Sequence, residues 1–157
     1  GLSRDLNISR KQAQEYIDQY FETYGSIKAY LDGTVEEAKN TGKSVTMFGR
    51  IRPIPEISSS NFMQRNFGER IAMNSPIQGT AADVMKVAMV RVEQRMKEMQ
   101  LQSKLLLQIH DELVVETAKD EVDVVKEIVI SCMKNAACLA VALEVDLHTG
   151  SNWYEAK

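Results

Sequence analysis

The chain has 157 residues, which is enough for one domain and short for two. Its composition, with 44% hydrophobic residues, 26% charged residues and a mean hydropathy of −0.27, excludes collagen-like, disordered and membrane-spanning classes. The net charge of −3 argues against a protein that coats nucleic acid by bulk positive charge, although it permits a local basic face.

The start of the chain and its cysteines predict a reduced, cytoplasmic protein. The first residues contain no initiator Met and no charged segment followed by an apolar one, so we expect no secretion signal and interpret the start as a cut. Cys132 and Cys138 would point about 120° apart on a helix, which is too divergent for an easy disulfide. No run approaches the roughly 20 apolar residues that a membrane helix needs.

Charge is distributed unevenly along the sequence. Residues 1–40, 41–105 and 106–157 carry net charges of −2, +5 and −6. The middle segment is rich in arginine, and the last segment is rich in Asp and Glu. Two interpretations are open: a pair of solvated faces, or a phosphate-facing surface next to a carboxylate site.

The N-terminal residues predict a pair of helices that serve as packing elements. Ser9 is placed to cap the first helix, whose apolar positions recur every three or four residues up to Gly25. A second apolar stripe starts at Ile27 and runs to a stop at residues 40–42, although Gly33 weakens it.

The next stretch changes from helical to β-like periodicity. The β-like period from Ser44 to Ile57, which contains Gly49, Pro53 and Pro55, predicts a short basic hairpin followed by a loop.

Two helices are predicted after this loop. The first covers Asn61–Met73, and the second begins at Ser75, which supplies an N-cap, with Pro76 at the first helical position and Gln78 completing a capping box. The apolar positions of the second helix extend to about Met99 and leave Asp83 on its outer face.

The last third of the chain predicts a hairpin, a helix and a closing strand. Two strand-like runs, Lys104–Ile109 and Leu113–Thr117, are separated only by the charged tip His110-Asp111-Glu112. A helix from Val122 and a strand over Ala142–Leu147 follow.

Together these elements predict an α+β fold, a single domain in which helices pack on a small antiparallel sheet. Its parts are a helical pair, a basic hairpin with a loop, a helical region, and a final hairpin, helix and strand, at residues 1–42, 43–60, 61–100 and 101–157.

The first candidate site is His110-Asp111-Glu112. Adjacent carboxylates repel each other, so placing them at the turn of an apolar hairpin requires a cation or hydrogen-bond donors. A bound Mg²⁺ meets this need, because hard divalent cations take oxygen ligands and phosphoryl-transfer sites combine one or two carboxylates with substrate phosphates. A solvated polar turn is the alternative, and strand alternation leaves only one of the two carboxylates as a firm ligand.

The second candidate site comprises Arg70, Asn74 and Gln78, which recur every four residues and all present N–H donors. Acceptors occur in the minor groove at every base pair, so donors on one helix face can test base-pair geometry without reading sequence. Arg50 and Arg52 lie nearby in sequence and add positive charge. The alternatives are that Gln78 caps one helix, Asn74 ends another and Arg70 is a surface charge.

Two motifs in this order resemble the C-terminal part of the family A DNA polymerases. They are Glu69–Asp83 and, further along, Gln108–Val114. Residues 1–6 are similar to the stretch after the nucleotide-binding fingers helix of that family, Gly49-Arg50 to its basic hairpin, and residues 152–157 to its natural end. The resemblance covers the whole chain and implies part of the palm and fingers region.

The resemblance implies a role for each matching residue in template-directed, two-metal nucleotidyl transfer with Mg²⁺. Asp111 matches one of the two aspartates that bind the metal pair, Glu112 an auxiliary carboxylate, and His110 a residue near the primer 3′ end. Primer–template DNA and deoxynucleoside triphosphates are the implied partners. The matches to the minor-groove residues of the family are Arg70, Asn74 and Gln78.

The match to the family is partial. Its other metal-binding aspartate and the residues that hold the incoming nucleotide belong to motifs that come before the position of Gly1. We therefore expect the isolated chain to supply only part of an active site and not to polymerise DNA.

Two other classes of protein remain open. A non-catalytic nucleic-acid-binding module would use the charged tip only as a polar turn. A metal-dependent nuclease would need additional carboxylates, and the position of the nearest group at a predicted helix start favours helix capping over a metal role. That group consists of Glu116, Asp120, Glu121 and Asp123.

Overall fold

The computed structural model describes residues 2–156, and its N-terminal part is helical. A short helix, α1 (Leu2–Asp5), precedes α2 (Arg10–Thr23) and α3 (Gly25–Thr41). Ser9 Oγ accepts a hydrogen bond from the Gln12 N–H at 3.2 Å, and Gln12 Oε1 accepts one from the Ser9 N–H at 3.1 Å. This reciprocal pair is a capping box, so the cap predicted at Ser9 is confirmed.

Helix α3 ends at Gly42, which has a φ of 70° and whose N–H bonds to the Ala38 carbonyl at 2.8 Å. Glycine adopts this left-handed conformation without the steric cost of a Cβ, so the stop signal in the sequence acts as predicted. The chain then forms the predicted hairpin, with β1 (Lys43–Val45) antiparallel to β2 (Ile51–Pro53).

Helix α4 runs without interruption from Phe62 to Glu98, so the prediction of two separate helices is wrong. Pro76 lies inside this helix, where a proline costs about 3 kcal/mol because it lacks an N–H and crowds the preceding turn. Packing offsets this cost, since Ala72 is completely buried and Ser75 is only 6% exposed. Burial of this face therefore overrides the local N-cap signal of Ser75 and Pro76.

The described residues belong to two compact units, residues 1–78 and 79–157. In the first unit, α4 packs on a 3₁₀ turn at Pro55–Ser58. A Cβ added to Gly68 would lie only 2.8 Å from the backbone nitrogen of Ile57, so the two backbones are in direct contact. The buried hydrophobic cluster of this unit consists of Ala38, Ile54, Ile57 and Ala72.

The second unit contains the later part of α4, a second hairpin and a final helix. Strands β3 (Lys104–Ile109) and β4 (Glu112–Glu116) are antiparallel, with a bulge at Leu106, and α5 (Val122–Lys134) follows. The α+β class is therefore confirmed, whereas the interpretation of the whole chain as one domain stays a prediction. The buried cluster of this unit consists of Val92, Met96, Val125, Ile128 and Val129.

Two expectations for the second unit are wrong. Asp83, predicted on the outer face of its helix, is only 3% exposed. Residues 142–147 form no strand, although Leu143, Val145 and Leu147 are half-buried and alternate with exposed acids as predicted. An extended segment becomes a strand only when a neighbouring strand supplies hydrogen bonds, and β3 and β4 pair with each other.

Across residues 2–156, no helix is both long and apolar enough to cross a membrane.

A glycine inside α3 and the glycine that caps its C-terminal end should respond to alanine with changes of stability of opposite sign. Gly33 lies inside the helix with open space around it, so Gly33→Ala should stabilise the chain by about 0.5–1 kcal/mol. Gly42 also has open space, but its φ is positive, so Gly42→Ala should destabilise the chain by about 1 kcal/mol. Urea unfolding of the two variants, followed by circular dichroism, measures both changes; equal effects would contradict the backbone explanation.

Candidate functional site

Arg70, Asn74 and Gln78 lie along one exposed strip of α4, referred to below as the donor strip. Because the helix is continuous, successive members are separated by a rise of about 6 Å and a rotation of about 40°. Ala72 and Ser75, on the other side of the helix, are buried. Since neither Asn74 nor Gln78 lies at a helix end, the capping alternatives for these residues do not apply.

The surroundings of Arg70 leave its guanidinium available to an anion. The guanidinium carbon lies 5.8 Å from the centroid of the Phe67 ring, which is within range of a cation–π contact. The neighbouring acid, Glu69, forms an ion pair with Lys39 at 2.6 Å, so its negative charge is compensated. A cavity of about 420 Å³ adjoins this position, lined by Met63, Asn66, Glu69, Arg70 and Met73.

The two hairpin arginines differ in their contacts. Both are exposed. The Arg50 N–H donates to Thr46 Oγ1 at 3.1 Å, which closes the β1–β2 turn. Arg52 Nη1 donates to Ser75 Oγ at 3.3 Å, so Arg52 reaches α4 next to the donor strip.

The charged tip of the second hairpin is a two-residue turn, because Ile109 pairs directly with Glu112. His110 has a φ of 52°, whereas Asp111 has no positive φ. A positive φ is uncommon for a residue with a Cβ, so His110 carries strain of roughly 1–2 kcal/mol. Gln108 Nε2 donates to the His110 carbonyl at 2.6 Å and helps to hold the turn.

The carboxylate oxygens at this tip are of the kind that a hard divalent cation takes as ligands. Asp111 and Glu112 are exposed, and within residues 2–156 their carboxylates accept no hydrogen bond and form no ion pair. The described part of the chain contains no group of three or more His, Cys, Asp or Glu side chains that could hold a metal. One or two carboxylates are the usual protein contribution where substrate phosphates complete the coordination, so the residues present fit part of such a site.

Glu121 has a structural role that sequence reasoning missed. Its carboxylate accepts the Gln102 N–H and the Ser103 N–H, each at 2.9 Å, and the Ser103 hydroxyl at 2.5 Å. Ser103 Oγ accepts the Ala118 N–H at 3.0 Å, so this Glu121 clasp joins the start of β3 to the start of α5. The hydrogen bond from the Ser103 hydroxyl, followed by the backbone bonds, lowers the pKa of Glu121. A carboxylate with these partners is a poor nuclease ligand, and no local sequence pattern links it to Ser103.

Comparison with known proteins gives consistent matches over the chain. The sequence model of DNA polymerase family A matches residues 1–155. DNA polymerase I of Caldicellulosiruptor bescii is 54% identical over all 157 residues, and that of Bacillus subtilis (strain 168) is 47% identical. The chain covers 18% of each of these relatives, so it spans about a fifth of their length.

A solved structure matches as well. The POL domain of Pol1 from M. smegmatis, in complex with DNA primer-template and dNTP, matches with a TM-score of 0.95 and 42% identity, covering 99% of this chain and 28% of that chain. The fold therefore agrees with the sequence match. The chain belongs to DNA polymerase family A.

The Glu121 clasp should make stability depend on pH in the acid range. A carboxyl group with a lowered pKa in the folded state stabilises the fold above its unfolded pKa of about 4.3, and this contribution is lost as the pH falls through the folded pKa. Glu121→Gln should therefore be less stable than the unaltered chain at neutral pH, and the difference should shrink below about pH 4.3.

Urea unfolding at a series of pH values measures this difference. Glu127→Gln removes an exposed carboxylate from α5, the helix that Glu121 precedes, and is the matched control for the loss of one charge. A stability gap between Glu121→Gln and the unaltered chain that stays constant from pH 7 to pH 3 would show that the carboxylate charge does not drive the clasp.

Proposed function

We propose that this chain is the C-terminal part of the polymerase domain of a DNA-directed DNA polymerase that acts in DNA replication and repair. The observation that carries this proposal is the exposed strip of N–H donors, Arg70, Asn74 and Gln78, on one continuous helix. The relatives named DNA polymerase I and the DNA and dNTP in the matched structure support it. Both cysteines are free, which suits the reducing cytoplasm.

The proposed reaction joins the primer 3′-hydroxyl to the α-phosphate of a deoxynucleoside triphosphate and releases pyrophosphate. Asp111 is the proposed ligand of Mg²⁺, with Glu112 as an auxiliary carboxylate and His110 near the primer end. When bound, the metal ions favour ionisation of the 3′-hydroxyl and neutralise the charge on the phosphates. The position of Asp111 in an exposed two-residue turn beyond the ends of both strands supports this role, because it leaves the carboxylate accessible to substrate phosphates.

The donor strip is proposed to hold the primer–template in the minor groove. Purine N3 and pyrimidine O2 occupy similar places in all four matched pairs, so a fixed row of donors accepts any correct pair. A mispaired base displaces its acceptor and leaves a donor without a partner, which costs about 1–3 kcal/mol. Arg50 adds positive charge that favours binding of the phosphate backbone. The sequence predicts the same contribution from Arg52.

Substitution of the proposed metal ligand should separate catalysis from binding. Asp111→Ala in the full-length polymerase should lower kcat at least about 100-fold, because a carboxylate ligand is lost, while primer–template Kd stays within about twofold. Single-turnover extension and fluorescence anisotropy measure the two quantities. Asp120→Ala, which removes an exposed acid outside the hairpin, is the control. Turnover near that of the unaltered polymerase in Asp111→Ala would remove Asp111 from the metal role.

Removal of one donor from the strip should impair extension and recognition of mismatches together. Gln78→Ala should lower the efficiency of matched-primer extension by about 5- to 15-fold and change the ratio of matched to mismatched extension, because one minor-groove hydrogen bond is lost. Steady-state kcat/KM on matched and mismatched primers measures both. Gln94→Ala makes the same change at an exposed position further along α4 and should have no effect. Unchanged affinity and fidelity in Gln78→Ala would contradict the minor-groove role.

A further inference from the structure

The donor strip has a weak point in its middle. Pro76 lies between Asn74 and Gln78, and because it has no N–H, the Ala72 carbonyl loses its helical hydrogen-bond partner. A proline also disfavours helical geometry in the residue before it, which is Ser75. The position of Asn74 relative to Gln78 therefore depends on what holds the helix at Ser75.

Ser75 is held from outside the helix by Arg52. Arg52 Nη1 donates to Ser75 Oγ at 3.3 Å, across 23 residues of sequence. Ser75 is 6% exposed, so few water molecules compete for its hydroxyl, and hydrogen bonds from a charged donor are stronger than neutral ones. The hairpin that carries Arg52 is itself anchored, because the next residue but one, Ile54, is completely buried and its N–H bonds to the Gly42 carbonyl at 2.8 Å.

We infer that Arg52 is a positioning residue for the donor strip. By holding Ser75 against β2, it fixes the course of α4 at Pro76 and thereby the separation of Asn74 and Gln78 along the minor groove. This role differs from the direct phosphate contact expected from the sequence. The inference rests on the proposed function of the donor strip in binding primer–template DNA.

The test compares four variants of the full-length polymerase. Arg52→Met removes the donor and the charge, Ser75→Ala removes the acceptor alone, and the double variant removes both. Lys28→Met is the control for charge, because it removes one positive charge elsewhere in the same unit. Lys28 lies on the surface of α3, where it pairs with Asp32. For each, thermal unfolding, primer–template Kd at several KCl concentrations, and kcat/KM on matched and mismatched primers are measured.

A positioning role predicts that Arg52→Met and Ser75→Ala lower the ratio of matched to mismatched extension by similar factors, about three- to tenfold. The double variant should be no worse than either single variant, since both remove the same contact. The slope of log Kd against log[KCl] should be the same as in Lys28→Met and in the unaltered polymerase, because no phosphate contact is lost.

Two results would overturn the inference. One is that Ser75→Ala has the same extension and mismatch discrimination as the unaltered polymerase. The other is that the slope of log Kd against log[KCl] changes by about one unit in Arg52→Met alone, which would assign Arg52 to a phosphate contact. Failure of the proposed function is distinguishable from both: in that case Gln78→Ala also leaves extension and mismatch discrimination unchanged. If Gln78→Ala impairs extension and Ser75→Ala does not, only the role of Arg52 is wrong.

Discussion

The continuity of α4 through Pro76 is the constraint on which the proposed DNA-binding surface depends. If the helix ended near Asn74, as the Ser75-Pro76 pattern predicts, Gln78 would cap a new helix and would not follow Arg70 and Asn74 on one face. Burial of Ala72 and the close approach of Gly68 to Ile57 hold the helix where the proline opposes it. A local cost of about 3 kcal/mol is thus offset by packing, and three exposed donors share one strip as a result.

In the second hairpin, too, hydrogen bonds hold the backbone while the side chains of the candidate site are exposed. The Glu121 clasp fixes the beginning of β3 through two backbone N–H groups and one hydroxyl, far along the strand from the turn. At the turn itself, the strained His110 and the Gln108 side chain shape the backbone, and the neighbouring carboxylates have no protein partner within residues 2–156. The hairpin is thus held by hydrogen bonds at one end and leaves two exposed carboxylates at the other, which is compatible with the proposed ligand role.

Features that depend on a few neighbouring residues were predictable from the sequence. Ser9 caps its helix, Gly42 ends one, and the charged tip forms a hairpin turn, because each signal is local. Features that depend on distant packing were not predictable. The unbroken α4, the buried Asp83 and the unpaired segment 142–147 each depend on which other element lies against them. The proposed roles of the site residues rest on their chemistry and spacing and on the resemblance to a family, whereas the structure adds that Arg70, Asn74 and Gln78 share one face of a continuous helix.

The uneven charge of the sequence also becomes interpretable when each acid is assigned to its partners. In the acidic last third, Glu121 and Glu155 have lowered pKa values because hydroxyl and N–H donors of the protein satisfy their oxygens, chiefly Ser103 and Ser151. Acids used in this way contribute to the fold and cannot also coordinate a cation without losing those bonds. In the basic middle segment, Glu69 beside Arg70 is compensated by Lys39, which belongs to the first segment. The count of charges therefore overstates the number of candidate ligands, because Glu121 and Glu155 are already bound by protein donors, whereas Asp111 and Glu112 have no protein partner within residues 2–156.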